Sequence, residues 1–297
     1  MKKIFSLLLF FILLFGIYFK PAKAEEAKIS YIHLNEIYYN LNINGKIESN
    51  GVTMFKLKER IAYCIEPGVE INQRYYEIFT SWDNINLSNE VKEYIELIGY
   101  YGYEYPGHNT EYYYIATQEL IWKAIKSDID VSWSTAKNNS GNIIDVTKEK
   151  DEIKNLIAKH KLIPSFANKL IKGQVGTTVT LTDENNVLED YNIAQSKYHK
   201  IIKENNQLII TLNESPYNEE IELTRKYYDS APLLIYSKGT SQKLAALRVT
   251  SDKKATLEIK SEQVPEEIEV PNTGLYDITP LIGTFMLVHG LALYKKN

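Results

Sequence analysis

Between Ile29 and Cys64, apolar and polar side chains trade places at the short period of a half-buried strand. Ile29, Tyr31 and His33 alternate with Ser30, Ile32 and Leu34, and residues 37–39, 41–43 and 52–57 continue the pattern. Asn44-Gly45 and Asn50-Gly51 read as hairpin turns. Residues 60–65 predict a strand that ends at Glu66-Pro67-Gly68. The period then lengthens to that of helices. Ser88 can cap a helix carrying Val91, Tyr94, Ile95 and Ile98, with Gly99 and Gly102 as its stop. Asn109 or Thr110 opens a second helix, residues 111 to about 126. On it Gln118, Ile121, Trp122 and Ile125 form one stripe, so the glutamine faces the core rather than water. Asp145 or Thr147 opens a third, with Ile153, Leu156, Ile157 and His160 aligned and Pro164 as its end; residues 166–172 predict a further turn or two of helix.

After Gly173 the strand period returns. Residues 177–182, 208–212, 220–224, 232–236, 246–250 and 255–259 are strand candidates at roughly even spacing, the pattern of a β-sandwich. Residues 261–269, with Pro265 and four glutamates, read as a solvated spacer. The predicted class is α+β. Strands with a helical insertion fill residues 25–172, and a β-sandwich segment fills 173–260 as a separate domain or as the second half of the same fold.

Both ends lie outside these periods. Met1-Lys2-Lys3, an apolar run to Tyr18 and the small-x-small site Ala22-Lys23-Ala24 read as a signal peptide over residues 1–24. The run is shorter than the ~20 residues a membrane span prefers. Residues 270–297 open with Val270-Pro271-Asn272-Thr273-Gly274, continue with an apolar stretch and close on lysines. This order resembles the sorting signal of Gram-positive surface proteins, with Val270 where the usual pattern has Leu. The resemblance implies sortase cleavage between Thr273 and Gly274 and attachment of Thr273 to the cell wall or to a pilin; a C-terminal membrane anchor is the alternative. The ~35 Å reach of the short spacer favours a place on a pilus.

Losing both ends removes six lysines and one aspartate and moves the formal charge from -4 to -9. An acidic exported body argues against nucleic acid as a partner. The chain has one cysteine, Cys64, so no internal disulfide is possible. A lone exported thiol is reactive, paired to another molecule, or buried and inert. No His, Cys and carboxylate set has metal-ligand spacing, and no cofactor is expected.

Cys64 on a strand and Gln118 facing inward from a helix can condense into a thioester if the fold holds them at attack distance and keeps water out. Tyr63 and Trp122 are candidate aromatic cover. Tyr63-Cys64-Ile65 and Thr117-Gln118-Glu119-Leu120-Ile121-Trp122, in that order, resemble the two motifs of the thioester domains of Gram-positive surface adhesins. Residues 98–103 and 176–183 are also similar to that family. The resemblance spans most of residues 25 to about 260. It implies a thioester domain over 25–172, a Cys64–Gln118 thioester with Tyr63, Thr117, Ile121 and Trp122 around it, and covalent attachment to amines on a host surface. The bond forms once, so an enzyme is not expected. The implied partners are a host surface protein or other amine-bearing ligand, sortase and pilin subunits.

Other readings of the same residues stay open. Cys64 can be a structural core thiol in a non-covalent binding module. Gln73 is a second acyl donor closer in sequence. A cysteine hydrolase would need one of His33, His108, His160 or His199 as base, and His108 could tune protonation at the site. Eight of the 23 tyrosines fall between Tyr94 and Tyr114, either as packing around the thioester or as a recognition platform.

Overall fold

The computed structural model describes residues 25–83, 85–213, 218–228, 231–249 and 253–263. The signal-peptide and sorting-signal assignments, with Thr273 and Gly274, lie outside them. Strand β1 (Glu26–Ile43) turns at Asn44-Gly45 into β2 (Lys46–Leu57). Both turn residues have positive φ, 53° and 82°, as a tight hairpin requires. Asn50-Gly51 is not a turn. It lies inside β2 opposite Tyr39 and Tyr38, beside a register shift between His33 and Tyr38. Glycine fits where a bulge bends the ladder. Tyr31 and Ile32 lie before that shift, in regular pairing with Phe55 and Met54, and both are exposed, so the alternation expected from Ile29 does not hold along this part of β1. The turn into β3 (Arg60–Cys64) is made by Lys58 and Glu59 at positive φ, a pair with no turn signature in the sequence.

After β4 (Tyr75–Phe79) come α1 (Asn89–Tyr101) and α2 (Glu111–Ile125); α2 has its predicted limits to within a residue, whereas α1 runs through Gly99, expected as part of its stop, and ends only before Gly102. Ser88 Oγ accepts from the Val91 N–H and so caps α1. Next are β5 (Asp130–Ser134), β6 (Ile143–Ile144) and α3 (Thr147–His160), where Asp145 Oδ1 accepts from the Thr147 N–H. The chain continues through β7 (Leu170–Gln174), β8 (Thr178–Thr182), β9 (Tyr191–Ile193), β10 (His199–Glu204), β11 (Gln207–Leu212) and β12 (Asn218–Arg225). It ends with β13 (Leu234–Ser237), β14 (Leu244–Ala246) and β15 (Lys254–Glu262). Residues 170–172, expected as helix, open β7, whose backbone pairs in parallel with β15.

Among the described residues the strands form sheets in the order β2-β3-β14-β13-β4-β1-β5-β6, β10-β11-β8 and β7-β15-β12-β9. In the first sheet β1 also pairs with β2, so six strands close on themselves. The closure depends on a return of the chain. Residues 232–236 and 246–250, expected in the C-terminal β segment, instead supply β13 and β14 to the first sheet, where β14 pairs with β3 and β13 with β4. The strands themselves fall at 234–237 and 244–246. The spacer expected from 261 begins later, because Ser261 and Glu262 still belong to β15.

Two apolar clusters result. The larger gathers residues of the first sheet and of the three helices, including Ala62, Cys64, Ile98, Ile121 and Leu247. The smaller lies between the other two sheets, from Leu208, Ile210 and Leu212 on β11 to Ile221, Leu223, Leu257 and Ile259 on β12 and β15. Their period-two burial is the expected one-sided strand pattern.

Candidate functional site

Cys64 is the last residue of β3, just before a turn in which Gly68 takes φ +84°. That left-handed backbone is what calls for glycine; a Cβ there would meet only the tip of the Ile43 side chain, at 2.8 Å. The strand end is held from the other side as well. The Ile65 N–H donates to the Lys243 carbonyl at 3.1 Å, the Lys243 N–H donates to Glu66 Oε2 at 3.0 Å, and Lys243 Nζ pairs with the same carboxylate. Leu244 is the β14 partner of Cys64. The residue that carries the thiol is thus held on one side by β14, a strand far ahead in the chain, while the pairing of β3 with β2 stops at Ala62.

Gln118 comes to it from α2. The Cys64 N–H donates to Gln118 Oε1 at 2.9 Å, and Gln118 Nε2 donates to the Cys64 carbonyl at 2.9 Å. The carboxamide therefore docks on the cysteine's own main chain as a neighbouring strand would. Cys64 and Gln118 are 8% and 4% exposed, which keeps bulk water from most of the pair. Gln73, the other candidate donor, is exposed.

This docking has chemical consequences. A donor 2.7–3.1 Å from a carbonyl oxygen is placed to stabilise negative charge that develops there, and the Cys64 N–H meets that distance on Gln118 Oε1. The Cys64 carbonyl holds the nitrogen that would leave. Burial works in the opposite sense on the nucleophile and pushes the Cys64 thiol up to about 12. At neutral pH only about one thiol in 10⁵ is ionised at such a value, so attack requires proton transfer along with it.

Of the other predicted site residues, Trp122 lines the cavity beside Cys64, packs edge-on against Tyr39 at 5.8 Å and stacks on Trp133 at 6.4 Å. Tyr63, next to Cys64 along the strand, stacks on Tyr114 at 5.2 Å. Ile121 is fully buried in the core under α2. Thr117 Oγ1 donates to the Tyr113 carbonyl one turn back on α2 and accepts from the Tyr103 N–H just past the end of α1. Gly102 permits that approach, since a Cβ would lie 2.3 Å from Thr117 Oγ1.

Residues that sequence reasoning missed complete the site. Glu119, beside Gln118, is 2% exposed and accepts from Trp133 Nε1 at 2.8 Å and from Lys150 Nζ at 2.7 Å. It joins α2 to β5 and α3. Nothing in its spacing signals this, because its partners come from other elements. Tyr39, Glu48, Glu70 and Tyr114 share with Cys64, Gln118, Trp122 and His33 a cavity of about 610 Å³. Both members of the buried pair line its wall.

The histidines part company. His33 lines this cavity and its Nδ1 lies 3.0 Å from Thr53 Oγ1. His108 stacks on Tyr113 and hydrogen-bonds with the Tyr101 carbonyl and Glu152. His160 bonds to the Tyr101 hydroxyl, and burial pushes its pKa down to about 4. His199 lies in the second cluster of strands. Tyr100, Tyr101 and Tyr105 pack around Tyr227, Tyr228 and His160 between α1 and the segment after β12, whereas Tyr112 is exposed. Among the described residues no group of three or more His, Cys, Asp or Glu side chains is placed to hold a metal ion.

Residues 61–161 match the family model of the thioester domain. That segment runs from β3 to the end of α3 and holds both Cys64 and Gln118. No curated protein matches the chain. Among solved structures, the thioester domain of the Staphylococcus aureus TIE protein is similar with a TM-score of 0.62 at 20% identity, over 81% of this chain and 100% of that one. At that identity the likeness is one of fold. It reaches well beyond residues 61–161.

Proposed function

We propose that Cys64 and Gln118 close an internal thioester and that the protein uses it as a surface adhesin, attaching covalently to an amine on another molecule. The observation that carries this is the reciprocal hydrogen-bonded pairing of the Gln118 carboxamide with the Cys64 main chain, within a segment that matches the thioester-domain model.

In the first step Cys64 Sγ attacks Gln118 Cδ, the Cδ–Nε2 bond breaks, and the thiol proton leaves with the amide nitrogen as ammonia. The Cys64 N–H stabilises the oxygen during the attack. In the second step an amine nitrogen, entering through the cavity, attacks Cδ. The C–S bond breaks, the proton passes to sulfur, and a substituted Gln118 amide remains beside a free Cys64. Each molecule reacts once, so this is not enzymatic turnover. The entry carries Glu48 and Glu70, which suit the approach of an ammonium-bearing side chain such as lysine.

The remaining assignments follow the sequence. A signal peptide exports the chain, sortase joins Thr273 to the cell wall or a pilin, and the lobe of β7–β12 and β15 is a β-sandwich that supports the thioester domain. The test is incubation with amine-bearing host surface proteins followed by denaturing electrophoresis and peptide mapping. The expected result is an adduct on Gln118 that is lost in Cys64→Ala and in Gln118→Ala. Retained, denaturant-sensitive binding by Cys64→Ala with no adduct from the wild type would establish the non-covalent module instead. Repeated turnover of an amide substrate would establish a hydrolase.

A further inference from the structure

Away from Cys64, a cavity of about 480 Å³ is lined by residues of β9, β10 and the segment joining them, with Lys226 just past the end of β12. β9 and β10 are the outer strands of their respective sheets, so the cavity lies at the seam where the two sheets stop. His199, the first residue of β10, is 6% exposed, and neither of its ring nitrogens has a hydrogen-bond partner. In either neutral tautomer this leaves one donor and one acceptor unmet, which buried polar groups rarely tolerate. Lys203 and Lys226 stand on the same wall. Lys203 Nζ donates to the Tyr191 carbonyl at 3.0 Å, and among the described residues its acidic partner is Glu189 at 3.7 Å. Lys226 Nζ donates to the Glu189 main-chain carbonyl at 3.0 Å. Burial lowers the Lys203 pKa, and the adjacent Lys226 lowers it further. Two neighbouring ammonium groups held largely by main-chain carbonyls have capacity for an oxyanion.

The rest of the lining points to what carries that anion. Asn192 and Gln195 present exposed amides at the rim, and Ile201 adds a half-buried apolar surface. The volume falls within the ~300–1,000 Å³ of small-ligand sites and exceeds what a bare oxyanion needs. The chain carries a formal charge of -4, which opposes an extended polyanion but not one compact acidic group at a local pair of cations.

We infer that this cavity binds an acidic sugar residue, with its carboxylate or sulfate on Lys203 and Lys226, its hydroxyls on Asn192 and Gln195, and His199 beneath it as the remaining polar contact. The site is separate from the thioester chemistry and does not depend on it. It would let the protein dock on an acidic glycan before any covalent step.

The test is titration of the protein with glucuronate, N-acetylneuraminate, a sulfated glucose and N-acetylglucosamine, followed by calorimetry and by the NMR signals of the His199 ring. Saturable binding of at least one acidic sugar, movement of the His199 signals and no binding of the neutral sugar are expected. The relative affinities of the carboxylated and sulfated sugars identify the source of the anion. The double variant K203Q/K226Q should weaken binding about tenfold or more. The exposed single variant Lys226→Gln, which changes no buried group, should weaken it in the same direction if the double variant does not fold. Absence of saturable binding by all the acidic sugars, unchanged affinity in a folded lysine variant, or equal competition by inorganic sulfate would overturn the assignment.

Discussion

At Cys64, orientation and ionisation pull in opposite directions. The main chain of Cys64 grips the Gln118 carboxamide at both ends, while burial holds the thiol protonated with a pKa of about 12. Fixed orientation can be worth ~7–11 kcal/mol toward reaction. Burial raises the thiol from an ordinary value near 9 to about 12, roughly 4 kcal/mol against ionisation, which is less than orientation can return, so placement is what makes the step feasible. In Gln118→Ala the thiol has no acyl partner. Its alkylation rate should then rise about tenfold per pH unit from pH 7 to 10, because the thiolate fraction keeps growing below a raised pKa. A plateau near pH 8.5, the value of an ordinary cysteine, would show the thiol to be exposed. Glu119 belongs to the same scale. Its removal strands Lys150 and the Trp133 indole N–H, and Glu119→Ala should cost about 3 kcal/mol in denaturant unfolding; a change near zero would mean that the network is not a support of α2.

Among the elements, α2 was the most legible in advance, because its inward stripe is carried by its own residues. Gln118, Ile121 and Trp122 are buried as expected, but so is every residue from Tyr114 to Trp122, because other elements cover the helix all round, and Ile125 of the same stripe is only half-buried. The turn at Lys58-Glu59 was not legible, since positive φ at two long polar residues is imposed by the strands on either side. The reverse error at Asn50-Gly51 has a similar cause. A turn dipeptide was overridden by the pairing of β2 with β1, and its glycine serves the bulge instead. The junction of α1 with α2 rests on Gly102, which lies against Thr117 one residue from the acyl donor. Gly102→Ala should destabilise the protein by about 1–3 kcal/mol and slow thioester formation by displacing α2. Wild-type stability with unchanged formation would contradict that coupling.

For the whole molecule, the long return of β13 and β14 could not be read from sequence. Both are ordinary strands by composition, and nothing local says which sheet will take them. Their destination decides how much chain the site needs. Cutting after residue 172 leaves β3 and β4 without the strands between them and removes Leu244 and Lys243 from beside Cys64. Residues 25–172 alone should therefore fail to unfold cooperatively and should form no thioester, while residues 25–263 do both. Circular dichroism melting of the two fragments checks this, and a cooperatively folded, thioester-bearing 25–172 would refute the structural role given to β13 and β14.

The most direct test of a Cys64–Gln118 thioester is the intact mass of purified residues 25–263, alone and after exposure to methylamine, beside Gln118→Ala. The thioester predicts a mass one ammonia below the sequence value, a methylamine adduct on Gln118 with release of the Cys64 thiol, and full mass in the variant. Full mass and a free thiol in freshly prepared wild-type protein, with no methylamine incorporated, would contradict it.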